Sequence, residues 1–219
     1  MTAEATLRMD RMYRYQRHIY DLSRKFYLLG RDRLVRGLQP GPGARICEIG
    51  CGTGRNLVAL ARRYPDAEIF GIDASNEMLK TANATIARAG LAGRIRIERC
   101  LADELDPRAT FGLSESFDAI AFSYTLSMIP DWGGAVDRAV SALKPAGLLA
   151  VVDFSEQRGL PEWFRNLLRR WLTLFEVTPR AALPAYLQAL AERERGGLTV
   201  EPLYRDYACL MRYRRPAAL

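Results

Sequence analysis

The stretch Glu48-Ile49-Gly50-Cys51-Gly52-Thr53-Gly54 decides the fold. It lies where an apolar run of strand length, residues 44–49 (ARICEI), gives way to a helix-like segment at 55–63. Glycines at such a junction let the backbone approach a ligand closely and take dihedrals that a Cβ would forbid. Their spacing is G-x-G-x-G, and Glu48 stands two positions before the first of them. A carboxylate there repels a pyrophosphate, whereas a nucleoside with an ammonium or sulfonium centre gains from it.

Outward from this turn, strand-length apolar runs alternate with helix-length segments, the signature of βαβ units and a parallel sheet covered on both faces. Residues 67–72 (AEIFGI) form a second strand that leads into a helix at 76–89, and 94–100 alternate as an edge strand does. Residues 117–123 (FDAIAFS) and 147–154 (GLLAVVDF) are continuously apolar, as central strands are, with a helix at 133–143 between them. Helix-like stretches at 162–175 and 179–195 precede two alternating runs, 198–204 and 207–213, which read as a closing hairpin across Arg205-Asp206. Ahead of the sheet, residues 7–36 have helical periodicity. At 100° per residue Met9, Tyr13, Gln16, Tyr20 and Tyr27 share one face, opposite Arg11, Arg14, His18, Asp21 and Lys25. The expected division is an N-terminal helical segment at 1–36 and one α/β domain at 37–219.

The second strand ends in Asp73, 19 residues beyond Gly54, where a doubly wound fold places a carboxylate to accept two ribose hydroxyls. After the third strand comes Leu101-Ala102-Asp103, whose acid suits an adenine amino group. These acids fall at the carboxyl ends of successive strands, the ligand crevice of an open α/β sheet.

Charge is uneven along the 219 residues: +5 over 1–36, −3 over 37–157 and +5 over 158–219, for a net +7. Basic ends around a mildly acidic middle suit a phosphate backbone or a bilayer surface. No run of apolar residues is long enough to span a membrane, and the first 17 residues lack the apolar core of a secretory leader, so a cytoplasmic location is expected. Cys47, Cys51, Cys100 and Cys209 are too scattered for a disulfide framework, and with His18 alone beside them no metal is expected.

On these motifs the sequence resembles the class I methyltransferases that use S-adenosylmethionine, over about residues 40–215. The resemblance implies a Rossmann-like, doubly wound α/β sheet of seven strands in the order 3-2-1-4-5-7-6, the last antiparallel, under an N-terminal amphipathic helical lid. It implies a cofactor site made of Glu48, Gly50, Cys51, Gly52 and Gly54, with Asp73 on the ribose. Ala74, Met78 and Ala102 would flank the adenine, Asp103 would accept from its amino group, and the Ser123 backbone would lie near the methionine part. S-adenosylhomocysteine is the implied product.

Enzymes of this class that methylate the amino groups of nucleic-acid bases carry Asn/Asp-Pro-Pro-Tyr/Phe after the fourth strand. Here the residues are Ser123-Tyr124-Thr125-Leu126, so no nucleic-acid partner is expected. The segment 12–33, which contains YDLSRKFYLLGRDR, is similar to the bacterial N-methyltransferases of betaine-lipid synthesis that act on diacylglyceryl-homoserine. That similarity implies three methylations of the homoserine amine, giving diacylglyceryl-trimethylhomoserine. It also implies a protein bound peripherally to the inner membrane surface. Tyr20, in the Tyr-Asp pair, is the implied catalytic residue and also closes over the cofactor. Tyr13, Tyr27 and Tyr124 would meet the substrate, since aromatic faces attract a sulfonium or quaternary ammonium by about 0.5–2 kcal/mol each. A second patch, residues 160–172, mixes two tryptophans with three arginines and suits a bilayer interface. Phosphatidylethanolamine, a small soluble amine and RNA stand as alternative acceptors, and a cofactor-binding subunit without chemistry of its own as an alternative role.

Overall fold

The computed structural model describes residues 28–175 and 177–218. Along the chain the described elements are α1 (Arg31–Gly37), β1 (Arg45–Ile49), α2 (Arg55–Arg63), β2 (Glu68–Asp73), α3 (Asn76–Arg88), β3 (Ile95–Arg99) and α4 (Pro107–Phe111). Then come β4 (Phe117–Ser123), α5 (Trp132–Ser141), β5 (Leu143–Phe154), α6 (Glu162–Thr173), α7 (Leu183–Glu194), β6 (Gly197–Leu203) and β7 (Ala208–Arg214). Short 3-10 turns at Ala102–Glu104 and Leu126–Met128 follow β3 and β4.

The strands form one sheet in the order β3-β2-β1-β4-β5-β7-β6. β1 to β5 pair in parallel, while β7 runs antiparallel to both β5 and β6. Period-two alternation sends Ile46, Ile69, Ala121 and Val152 to one face, where they meet Leu34 of α1, Leu57 of α2, Leu79 of α3 and Leu168 of α6. Cys47, Phe70, Phe122 and Val151 point to the other face, against Val136 of α5 and Leu187 of α7. Both faces are therefore covered. This explains why β4 and β5 read as unbroken apolar runs and why β3, at the edge, alternates.

Two expectations about local structure are corrected. The helix expected over 7–36 does not run unbroken, because Leu28 to Gly30 are non-helical and Gly30, at φ 87°, starts α1 from the left-handed region. The rest of that expected helix, with Tyr13, His18, Tyr20 and Tyr27, lies outside the described residues. β5 also starts four residues earlier than the expected 147, pairing Leu143 with Phe117. The Lys144-Pro145-Ala146-Gly147 stretch that reads as a turn is a bulge inside the strand, after which Ala119 pairs with Leu148.

Candidate active site

The turn between β1 and α2 is fixed from β2. The amides of Gly50 and Cys51 both donate to the carbonyl of Ile72, at 2.8 and 2.9 Å. Gly50 (φ 70°) and Gly54 (φ 77°) occupy the left-handed region, and a Cβ on Gly50 would lie 2.2 Å from Thr125 Cγ2. No side chain larger than hydrogen has room there. The turn therefore lies flat against the strand ends and exposes its backbone to the crevice.

Asp73 does two jobs in this frame. Its Oδ2 accepts the Gly52 amide at 2.8 Å and its Oδ1 the Ser75 amide at 2.9 Å, so the carboxylate shapes the turn and the start of α3. A carboxylate oxygen can accept more than one hydrogen bond, so Asp73 is chemically suited to a diol. Glu48 is buried at the end of β1, where its Oε1 accepts from Asn56 Nδ2 at 2.7 Å. Asp103 is exposed on the 3-10 turn after β3. Three carboxylates from three strand ends thus face one crevice, which favours a ligand carrying positive charge and hydrogen-bond donors.

That crevice is lined by Glu48, Gly50, Cys51, Gly52, Asp73, Ala74, Met78, Ala102, Asp103, Ser123 and Tyr124, so the described site residues expected from sequence come together with one exception. Gly54 is not on the lining. It starts α2, and a Cβ on it would lie 3.1 Å from Ala82 Cβ and 3.2 Å from Ala82 Cα. Burial, reinforced by the charges of Asp73 and Glu48, pushes the Cys51 thiol well up, so Cys51 is a wall of the cavity and no nucleophile. Tyr13, Tyr20 and Tyr27 lie outside the described residues.

Tyr124, expected to meet the substrate, reaches the crevice as a buried ring. It is buried at φ 57°, its hydroxyl donates to the carbonyl of Leu29, and its ring meets Phe154 edge-on at 4.7 Å. Burial, with Tyr207 and Asp153 adding to it, holds the phenol well above its usual range. It presents a ring to the cavity and keeps its proton. Arg31, Leu28, Thr53, Asn56, Met128 and Ile129 also line the crevice and were not read from the sequence. Arg31 follows the non-helical stretch Leu28 to Gly30, and although it lies in the YDLSRKFYLLGRDR run, nothing in that run singles it out.

The 126–129 wall is held by groups behind it. Ser127 donates its amide to Asp153, and the Arg180 guanidinium donates to the carbonyls of Leu126 and Ile129, at 3.1 and 2.7 Å. Among the described residues, no group of three or more His, Cys, Asp or Glu side chains is placed to hold a metal ion.

Residues 46–147 match the family model described as a methyltransferase domain. The chain is 29% identical over 165 residues to a nocamycin O-methyltransferase of Saccharothrix syringae, covering 74% of this chain and 57% of that protein. It is 28% identical over 145 residues to the ubiquinone/menaquinone biosynthesis C-methyltransferase UbiE of Geotalea daltonii, covering 64% of this chain and 60% of that one. The chain thus spans little more than half the length of these relatives. Among solved structures, the geranyl diphosphate C-methyltransferase of Streptomyces coelicolor, in complex with S-adenosyl-L-homocysteine, superposes with a TM-score of 0.65 at 17% identity, over 84% of this chain and 74% of that one. Residues 46–147 thus match a methyltransferase domain, and the sheet that holds them has the Rossmann-like strand order of methyltransferases, with β7 antiparallel.

Proposed function

We propose that this protein N-methylates the amine of a diacylglyceryl-homoserine head group, in three rounds, to give diacylglyceryl-trimethylhomoserine at the inner membrane surface. One observation carries the acceptor assignment: Arg31 lines the crevice together with Leu28, Tyr124 and Met128, and its charge acts on Tyr124. A guanidinium among apolar side chains suits an acceptor that has a carboxylate beside its amine and a hydrocarbon body behind it. The similarity of segment 12–33 to the betaine-lipid enzymes points the same way.

The donor set suits S-adenosylmethionine, which supplies an electrophilic methyl group on sulfur. Asp73 would accept from both ribose hydroxyls while still holding the Gly52 and Ser75 amides. Asp103 would accept from the adenine amino group, and Ala74, Met78 and Ala102 would flank the ring. The buried carboxylate of Glu48 favours a cationic ligand over a neutral one.

On the acceptor side, holding the amine in line with the methyl group is the main source of rate. The amine must arrive without its proton, and Tyr124 is no base, since its phenol stays protonated and donates to Leu29. The reading assigns proton removal to water or to Tyr20, with Tyr13 and Tyr27 beside the head group.

The test is transfer from labelled cofactor into separate pools of diacylglyceryl-homoserine vesicles, phosphatidylethanolamine vesicles, small amines and RNA. The reading expects label in the homoserine lipid. Label in RNA or in phosphatidylethanolamine overturns the acceptor, and cofactor binding with no transfer to any pool overturns the catalytic role.

A further inference from the structure

α6 has two apolar faces, and the fold uses one. Leu168 and Leu172 are buried in the cluster that also contains Leu28, Tyr124 and Phe154, with Phe164 and Trp171 packed against it. Trp163, Leu167 and Leu174 stand outside, 70%, 60% and 72% exposed. At 100° per residue these three fall within about 40° of one another, on a face that Arg170 shares between Leu167 and Leu174. A soluble surface rarely exposes a tryptophan and two leucines in one row.

The charges near the stripe are mainly basic. Arg170 is exposed on the face of the stripe, Arg169 is exposed about 120–160° round the helix with its guanidinium donating to the Glu156 carbonyl, and Arg158, paired with Glu156, precedes α6 with a side chain 75% exposed. The hairpin tip that carries Arg205 and the half-exposed Tyr204 is tied to the loop before α6, since Asp206 accepts the Arg158 amide at 3.1 Å. Glu162 is paired with Arg165 at 3.3 Å and offsets little of this charge. The composition of apolar stripe, interfacial aromatic and flanking arginines matches a helix lying in the boundary of an anionic bilayer, its arginines reaching phosphates.

We infer that the Trp163–Leu167–Leu174 stripe of α6, with Arg169 and Arg170, docks this protein onto an anionic lipid bilayer. The inference rests on the lipid-acceptor reading for its purpose. The buried face of α6 belongs to the same apolar cluster as Leu28 and Tyr124, which line the crevice.

The test is co-sedimentation of the full chain with mixed phosphatidylcholine–phosphatidylglycerol vesicles and with pure phosphatidylcholine vesicles. Wild type is expected to bind the anionic vesicles and to be released by salt. Leu167→Glu combined with Leu174→Glu is expected to lower vesicle binding by about tenfold or more, as is Arg169→Glu combined with Arg170→Glu. Trp163→Phe should remove most of the vesicle-induced blue shift in tryptophan emission. Unchanged circular dichroism, and unchanged transfer to a short-chain, water-soluble form of the lipid, establish that the variants are folded and active.

Absence of wild-type binding to anionic vesicles, or equal binding by the variants, overturns the docking surface whatever the acceptor. Self-association of wild type in solution that the same substitutions abolish overturns it too, in favour of an interface between copies. Vesicle binding that depends on the stripe, with no methyl transfer to the embedded lipid, leaves the docking surface standing and removes the acceptor reading instead.

Discussion

Ser127 donates its backbone N–H to Asp153 Oδ2 at 3.0 Å, joining the wall of the crevice after β4 to the end of β5. The carboxylate that receives it is 1% exposed and also takes the Phe154 amide at 2.8 Å. The Arg180 guanidinium, behind the same turn, lowers the cost of this buried charge, and Tyr124 lies close enough to feel it. Burial outweighs these partners and pushes Asp153 up to about 6 from the ordinary 3.8.

Asp153 therefore makes stability fall with rising pH. Between about pH 4 and 6 the native state keeps a proton that the unfolded chain has released, so each step up through that window weakens the fold, and above it the loss is complete. Asp153→Asn removes this titration while keeping an acceptor for Ser127. Whatever its offset at low pH, its unfolding free energy relative to wild type should rise by on the order of 3 kcal/mol between pH 4 and 7. Urea denaturation across that range checks this, and parallel curves for the two proteins would count against it.

Asp73→Ala should lower S-adenosylmethionine affinity by about 100-fold, since two hydrogen bonds to a charged carboxylate are lost from the ligand. The Gly52 and Ser75 amides lose their acceptor in the same step, so the turn loosens as well. Calorimetric titration beside circular dichroism separates the two effects. Full affinity in a folded variant would remove Asp73 from the site.

Gly50→Ala places a Cβ 2.2 Å from Thr125 Cγ2 at a φ of 70°. The backbone term alone costs about 1–2 kcal/mol, and the overlap adds to it. Adding Thr125→Ala should recover the steric part and leave the backbone part, as read by chemical denaturation. A double variant no more stable than Gly50→Ala would mean that the close approach to Thr125 is unimportant.

Arg31→Met keeps an unbranched apolar stem and removes the guanidinium. Under the proposed acceptor its KM for the lipid should rise by about tenfold or more, with calorimetric affinity for the cofactor unchanged. A fall in cofactor affinity with an unchanged lipid KM would place Arg31 on the cofactor instead.

Much of the fold was legible because it depends on short-range patterns. The strand-to-helix change around Gly50, Gly52 and Gly54, the acid ending β2 and the alternation of β3 are each visible within a few residues. The start of β5 was hidden because Pro145 and Gly147 carry turn chemistry, which the strand absorbs as a bulge with Ala146 at φ 60°. The break before α1 was hidden because helical periodicity runs on through Leu28 to Gly30, which are non-helical, with Gly30 in the left-handed region. Arg31 and the Tyr124 hydroxyl could not be placed, because each finds its position through contacts between distant segments, as in the bond from Tyr124 to Leu29.

The most direct measurement is a crystal structure of the protein with S-adenosylhomocysteine. The account predicts the nucleoside against the Gly50–Gly54 turn, both ribose hydroxyls within hydrogen-bond distance of the Asp73 carboxylate and the adenine amino group at Asp103. Density for the nucleoside elsewhere, or a ribose held by groups other than Asp73, would contradict it.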